Sequence, residues 1–163
     1  MEPPVAQMRV DKSGSGTACR RILDLLPDWF GIPEAVDNYV EVADAKPCVI
    51  ASLDGGDVGI TIVIEHSPFA AEIYLMGVVP SAHRHGVGRA MLQHVEADLA
   101  YRGIEFLQVK TLSATDPDPG YAATRAFYLA YGFRPLEEFP TLWDADNPAL
   151  QMIKTVGAPT RRD

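Results

Sequence analysis

The sequence predicts an α/β (α+β) fold, in which helices cover both faces of a mixed sheet. Apolar runs and helical stripes follow one another in the order β-α-α-β-β-β-α-β-α-β-β. Such an order is typical of one mixed sheet with helices packed on it. Because no linker or internal repeat interrupts it, we expect one domain over residues 1–163, with a core at about 6–156 and a flexible tail at 157–163.

The spacing of apolar residues locates the elements. Apolar runs predict strands over Met8–Asp11, Cys48–Leu53, Val58–Glu65, Ile73–Val79, Phe106–Leu112, Phe133–Phe139 and Ala149–Lys154. Helical stripes predict helices from Thr17 to before Pro27, from Pro33 to about Ala45, from Gly86 to about Arg102, and from Tyr121 to Tyr131. Residues 54–57 predict a hairpin turn, and the prolines of residues 116–120 predict a loop.

Composition narrows the class of protein. The 163 residues are 47% hydrophobic and 22% charged, so a full core can form without disulfides or structural metals. A net charge of −8 disfavours nucleic acid as a partner, because that binding depends on Lys and Arg. The two cysteines, Cys19 and Cys48, cannot form a disulfide framework, and we expect reduced thiols. Neither a membrane span of about 20 apolar residues nor a secretion signal is visible, so we expect a cytoplasmic protein.

The most informative segment joins the fourth strand to the third helix. It reads Gly77-Val78-Val79-Pro80-Ser81-Ala82-His83-Arg84-His85-Gly86-Val87-Gly88-Arg89, so a Gly-x-Gly pair opens a helix. The first amides of a helix have no partner within it, and together with the helix dipole they favour phosphate. Arg84 and Arg89 would add charged contacts. A turn that only lets the helix pack closely has the same pattern, and Gly-x-Gly alone does not separate the two.

Two known phosphate motifs are excluded, and one cofactor fits. A Walker loop needs Gly-Lys-Ser/Thr, and a dinucleotide fingerprint needs Gly or Ala where this chain has Met91. Gly77, inside a strand, indicates a bulge or the close approach of another group. A ligand with an amide-bearing arm beside this strand and phosphates at the next helix would use both features. Coenzyme A has that shape.

These residues carry a family resemblance over about residues 45–155. The glycine turn, together with Arg125-Ala126-Phe127-Tyr128-Leu129-Ala130-Tyr131-Gly132-Phe133, resembles the GNAT superfamily of acetyl-CoA-dependent N-acetyltransferases. The family signature is Gln/Arg-x-x-Gly-x-Gly/Ala followed downstream by Phe-Tyr-x-x-x-Gly-Phe. His83 stands at the first position instead of Gln or Arg, a change that affects a side-chain contact and leaves the glycines in place. The resemblance implies a mostly antiparallel sheet of six to seven strands flanked by about four helices.

The resemblance also implies acetyl-CoA as co-substrate, no metal, and an amine of a small molecule or peptide as acceptor. The pantetheine arm would lie along the fourth strand, where a main-chain N–H polarises the thioester. The cofactor-binding residues implied are Met76, Gly77, Val78, Val79, His83, Arg84, His85, Gly86, Val87, Gly88, Arg89 and Phe127.

Acetyl transfer needs a deprotonated amine, a polarised carbonyl and a neutralised thiolate. Tyr128 matches the family tyrosine that protonates the leaving thiolate, although a core aromatic would have the same pattern. Glu72 lies eleven residues before His83, at the spacing of the base glutamate in histone-type members, and a solvated strand residue is the alternative. Further candidates for the base are Glu137, Glu138, Asp116 and Asp118.

The acceptor site is expected to include Trp29 and Phe30, in the connection between the first two helices, and Glu138. The two aromatics could equally close the edge of the core. The histidines lack nearby cysteines or paired acids at a ligand spacing, so no metal site is predicted. A second hypothesis is a non-catalytic acyl-CoA-binding or regulatory module, motivated by His83 and the uncertain base. A homodimer is common among relatives, and the sequence leaves both the oligomeric state and the acceptor open.

Overall fold

A computed structural model of the chain describes residues 2–157. The predicted tail falls outside these residues, except for Gly157. The strands are β1 Gln7–Asp11, β2 Cys48–Leu53, β3 Gly56–Glu65, β4 Ala70–Val78, β5 Phe106–Leu112, β6 Arg134–Asp144 and β7 Asn147–Thr155. The helices are α1 Gly16–Asp24, α2 Pro33–Ala45, α3 Val87–Tyr101 and α4 Pro119–Tyr131, and a short 3₁₀ turn covers Pro80–Ala82.

The seven strands form one mixed sheet in the order β1-β2-β3-β4-β5-β7-β6. The pairs β1–β2, β2–β3, β5–β7 and β6–β7 are antiparallel. The pair β4–β5 is parallel, with a register that runs from Ala70↔Phe106 to Ile73↔Val109. A parallel pair needs a crossover, and α3 lies between these two strands in the chain. The predicted fold class is confirmed.

The described chain divides into two compact units. The first unit comprises residues 2–63 and 74–95. Its core is built from apolar residues of α1, β2, β3 and the start of α3, among them Ile22, Leu23, Ile50, Ile60 and Met91, which are almost fully buried. The start of α1 is fixed to the end of α2, because the Gly16 N–H donates to Asp44 Oδ1 at 2.7 Å. This carboxylate thereby satisfies one of the amides that a helix leaves unpaired at its start.

The second unit comprises residues 64–73 and 96–157. Phe133 is fully buried in it, and its main-chain N–H donates to the Tyr128 carbonyl at the end of α4. Glu96 of α3 accepts hydrogen bonds from Lys154 Nζ at 2.8 Å, from the Tyr131 hydroxyl at 3.1 Å and from the Gly157 N–H at 3.1 Å. One carboxylate thus connects α3 to α4 and to the residues after β7.

Element boundaries differ from the prediction where polar caps and turns decide them. α4 begins at Pro119, not Tyr121, because the Asp118 carboxylate accepts from the Gly120 and Tyr121 amides and proline is tolerated in a first helical turn. The β2–β3 turn is shorter than predicted: Asp54 and Gly55 both have positive φ, as a two-residue type I′ turn requires. β6 extends five residues beyond the predicted end, to Asp144. Within residues 2–157, no helix is both long and apolar enough to span a membrane.

Replacing Glu96 with Gln is expected to destabilise the fold in a pH-dependent way. Burial opposes ionisation of Glu96, but the hydrogen bonds from Lys154 and Gly157 outweigh it and hold the carboxyl pKa below its usual value. Stability from this group is therefore present above the ordinary glutamate pKa and is lost as pH falls through the lower folded value. We expect Glu96→Gln to lower the unfolding free energy by about 2 kcal/mol at neutral pH. Urea titrations from pH 7 to about pH 3 should show this difference shrinking.

The exposed Glu105 provides the matched control, because Glu105→Gln removes a charge that no such cluster holds. A difference between Glu96→Gln and the parent that stayed constant down to the acid limit would contradict the role given to the charge.

Candidate functional site

The turn that precedes α3 contains two residues with positive φ. After the 3₁₀ turn Pro80–Ala82, Arg84 has φ +63° and Gly86 has φ +73°. A positive φ is uncommon for a residue with a side chain, whereas glycine adopts it without steric cost. A Cβ at Gly86 would meet open space, so the glycine is required by its backbone angle and not by crowding.

The amides of this turn are available to a ligand. In the first turn of α3, the Ala90 N–H donates to the Gly86 carbonyl at 3.0 Å. Over residues 2–157, the amides of residues 84–88 have no recorded partner within the protein. Left-handed residues in such a turn direct successive N–H groups into one concavity, which favours anions, and the positive end of a 15-residue helix adds to this. The predicted residues Arg84, His85, Gly86, Val87 and Gly88 are thus together at this helix start.

The end of β4 lies beside this turn. The Val79 N–H donates to the Val58 carbonyl of β3 at 2.8 Å, so the main-chain groups of Val78 point away from β3. There the Val78 carbonyl accepts a hydrogen bond from His83 Nε2 at 2.6 Å. The substituted first residue of the signature therefore fixes the turn to β4 by its own imidazole.

A glycine is required at position 77 because side chains of the first unit pack closely against it. A Cβ at Gly77 would lie 3.2 Å from Leu26 Cδ1 and 3.5 Å from Leu23 Cδ2. The strand glycine thus lets the α1 segment approach β4, which is a different reason from the ligand approach that the sequence suggested. Its neighbours Met76 and Val79 contact the same core, with Val79 buried and Met76 half-buried. A cofactor contact of these residues would use main-chain atoms.

Aromatic side chains of the first unit form two groups of ring contacts. The Trp29 ring lies edge-on to His83, with 5.9 Å between centroids. Phe30 contacts Tyr39 in the same manner at 5.9 Å, and Tyr39 contacts Tyr74 at 5.4 Å. Sequence reasoning named Trp29 and Phe30 but missed the two tyrosines. The position of Tyr74 on β4, two residues after Glu72, was the available signal.

Tyr128 and Phe127 lie near the end of α4 in the second unit. Their rings are 5.4 Å apart, and Tyr128 also contacts Phe133 at 5.4 Å. Burial raises the pKa of the Tyr128 phenol. Its hydroxyl therefore keeps its proton through neutral pH.

Glu72 is a buried carboxylate of β4 with two partners in the second unit. His66 Nε2 lies 2.7 Å from Glu72 Oε1, and Lys110 Nζ donates to Oε2 at 2.8 Å. The glutamate is 8% exposed, so it does not lie on a solvated strand edge. Sequence reasoning named Glu72 but gave no sign of Lys110.

Glu138 lies on β6 and accepts hydrogen bonds from the hydroxyls of Ser113 at 2.7 Å and Thr115 at 3.1 Å. These two residues follow β5 and were not singled out from the sequence. Nearby, Arg125 of α4 donates to the Leu112 carbonyl at 2.7 Å. The loop after β5 is therefore fixed by both β6 and α4. Over residues 2–157, no group of three His, Cys, Asp or Glu side chains has a metal-binding arrangement.

Solved structures of low sequence identity share this fold. A GNAT-family protein from Desulfovibrio desulfuricans superposes with a TM-score of 0.81 at 21% identity, covering 94% of this chain and 100% of that one. A ribosomal-protein alanine N-acetyltransferase from Escherichia coli gives 0.74 at 17% identity, covering 98% and 99%. A GNAT-family acetyltransferase from Elizabethkingia anophelis, solved with acetyl-CoA bound, gives 0.70 at 15% identity, covering 92% and 97%.

No curated protein sequence matches the chain significantly. The model of the acetyltransferase (GNAT) domain, in contrast, matches residues 44–135, which is more than half of the chain. The protein belongs to the GNAT acetyltransferase family.

Proposed function

We propose that this protein transfers an acetyl group from acetyl-CoA to the amine of a small molecule or peptide. The observation that carries the proposal is the turn at residues 84–88, where two residues of positive φ leave consecutive amides available at the start of α3. This concavity suits the diphosphate of coenzyme A. Acetyl-CoA in the Elizabethkingia anophelis structure and the acceptor of the Escherichia coli enzyme support the choice of donor and of an amine.

The cofactor arm would run beside Met76 to Val79. The Val78 N–H points away from β3 and is the candidate to polarise the thioester carbonyl. The Val78 carbonyl is engaged by His83, so a pantetheine amide that used it would displace the imidazole. We propose that Arg84 and Arg89 contact the phosphates and that Phe127 contacts the arm.

Three proton and charge movements complete the reaction. Glu72 would accept a proton from the acceptor ammonium, directly or through a water. The amine nitrogen then forms a bond to the acetyl carbon, and the bond from that carbon to sulfur breaks. Tyr128 would give its phenolic proton to the departing thiolate, so free coenzyme A leaves. The new amide nitrogen must lose its second proton, and that proton would return to the Tyr128 oxygen. Trp29, Phe30 and Glu138 are proposed to contact the acceptor, with Tyr39 and Tyr74 extending the aromatic wall.

One observation favours the second candidate, a non-catalytic acyl-CoA-binding module. Both oxygens of Glu72 already have partners, so an acceptor amine would have to share this carboxylate with His66 and Lys110. A thiol-release assay with polyamines, amino acids, aminoglycosides and peptides separates the two functions. Turnover with any amine supports the transferase, and tight coenzyme A binding with no thiol release across the panel supports the module.

Gly86→Asp is expected to abolish acetyl-CoA binding. The substitution places a carboxylate where the diphosphate would lie, and it forces a side chain to φ +73°. Isothermal titration should show at least about a hundredfold loss of affinity, since a buried like-charge contact costs several kcal/mol.

Gly14→Asp is the matched control, because Gly14 also has positive φ and open space around its missing Cβ. This variant carries the same added charge and a similar strain outside the turn, so its affinity should equal that of the parent. Parental affinity in Gly86→Asp would overturn the assignment of the turn.

Tyr128→Phe is expected to keep acetyl-CoA affinity while lowering kcat about tenfold to a hundredfold, because only the proton donor is lost. The exposed Tyr101, replaced by Phe, controls for loss of a hydroxyl elsewhere. Steady-state rates across the pH range decide the matter. Equal kcat for Tyr128→Phe and the parent at every pH would remove Tyr128 from the reaction.

A further inference from the structure

The partners of Glu72 form a three-residue group across the second unit. Glu72 belongs to β4, Lys110 to β5, and His66 follows the last residue of β3. Both contacts are short, at 2.7 and 2.8 Å, and each uses a different carboxylate oxygen. A buried carboxylate with both oxygens engaged has a fixed orientation.

The three side chains differ in their access to water. The side chain of Glu72 is 11% exposed, that of Lys110 is 25% exposed and that of His66 is 45% exposed. His66 is held by its main chain, whose N–H donates to the Ala70 carbonyl at 2.9 Å. The imidazole therefore contacts the buried carboxylate on one side and solvent on the other, and the loop between β3 and β4 holds it in place.

Lys110 balances the charge of the buried carboxylate. The Ala70–Ile73 register with β5 sets Glu72 directly opposite Gln108, and Lys110 lies two residues further along on the same face of β5. The ammonium of Lys110 thus forms a short ion pair with the carboxylate, at 2.8 Å.

The charged residue next to His66 in the chain takes part in a different group of ion pairs. Glu65, the residue before His66, is ion-paired with Arg102, and Arg102 also pairs with Asp98 at 3.0 Å. Within residues 2–157, the side chains of Lys110 and His66 are the ones that contact the Glu72 carboxylate.

Building on the proposed function, we propose that His66 relays the acceptor's proton from Glu72 to solvent, with Lys110 as a positioning residue. Glu72 takes the proton from the ammonium and transfers it from Oε1 to His66 Nε2. His66 then loses a proton from Nδ1 to water. Glu72 is again ionised, and one proton has moved from amine to solvent. The ring now carries its proton on Nε2, and exchange with water, to which the His66 side chain is 45% exposed, returns it to Nδ1 before the next turnover. Imidazole is suited to this exchange because it gains and loses protons readily near neutral pH.

His66→Gln tests the relay, since glutamine can hydrogen-bond to Glu72 but cannot carry a proton. We expect kcat at neutral pH to fall about tenfold or more with the best amine of the panel, while KM for acetyl-CoA stays unchanged. Added imidazole should restore part of the rate, because it can carry the proton that glutamine cannot. His94→Gln, on α3, is the matched control with parental rates.

Lys110 is tested by the pair Lys110→Met and Lys110→Arg. The methionine variant should lower kcat and shift the pH profile, whereas the arginine variant, which keeps the positive charge, should recover most of the rate. A fall in kcat without any change of pH profile would mean a structural role only, and would overturn the positioning role.

The outcomes separate the relay from the transferase function. If the parent turns over an amine and His66→Gln has the same kcat and pH profile, the relay is wrong and the transferase function stands. If His66→Gln is slow but imidazole restores nothing, the relay is also wrong. If the parent releases no thiol with any amine of the panel, the proposed function fails and the relay fails with it.

Discussion

Positive φ at Arg84 and Gly86 is the constraint on which the proposed cofactor site depends. An L-residue in this conformation costs about 1–2 kcal/mol, so Arg84 needs support from its surroundings. The support lies on both sides of the turn. Ala82 and Val87 are buried at its two ends, and the His83 imidazole joins it to the Val78 carbonyl. A turn held in this way keeps its amides available without further rearrangement, which favours tight anion binding.

β4 combines packing and polar positions in a single strand. Gly77 packs against Leu23 and Leu26 of the α1 segment, and Tyr74 contacts Tyr39 of α2. Glu72, in contrast, contacts His66 and Lys110. The apolar contacts fix the strand, and the same strand carries a carboxylate that polar partners orient.

Much of the fold could be predicted because local signals determine it. Phe106–Leu112 matches β5 residue for residue, and Pro33 begins α2 as predicted. The predicted start of α4 is two residues too late, because proline prevents a helix at most positions. The Asp118 carboxylate caps the first turn, where proline is tolerated. The glycine turn could be predicted because an unusual backbone needs glycine. The contacts of Lys110 with Glu72, of Ser113 with Glu138 and of Tyr39 with Tyr74 could not be predicted. They depend on strand register and on helix packing, which the local sequence does not determine.

The most direct measurement is a titration of ¹⁵N-labelled protein with coenzyme A, followed by amide chemical shifts. The proposed site predicts that the largest shifts fall on residues 84–88 and on Val78, with smaller changes elsewhere. Shifts confined to other parts of the chain, or a spectrum unchanged at saturating ligand, would contradict it.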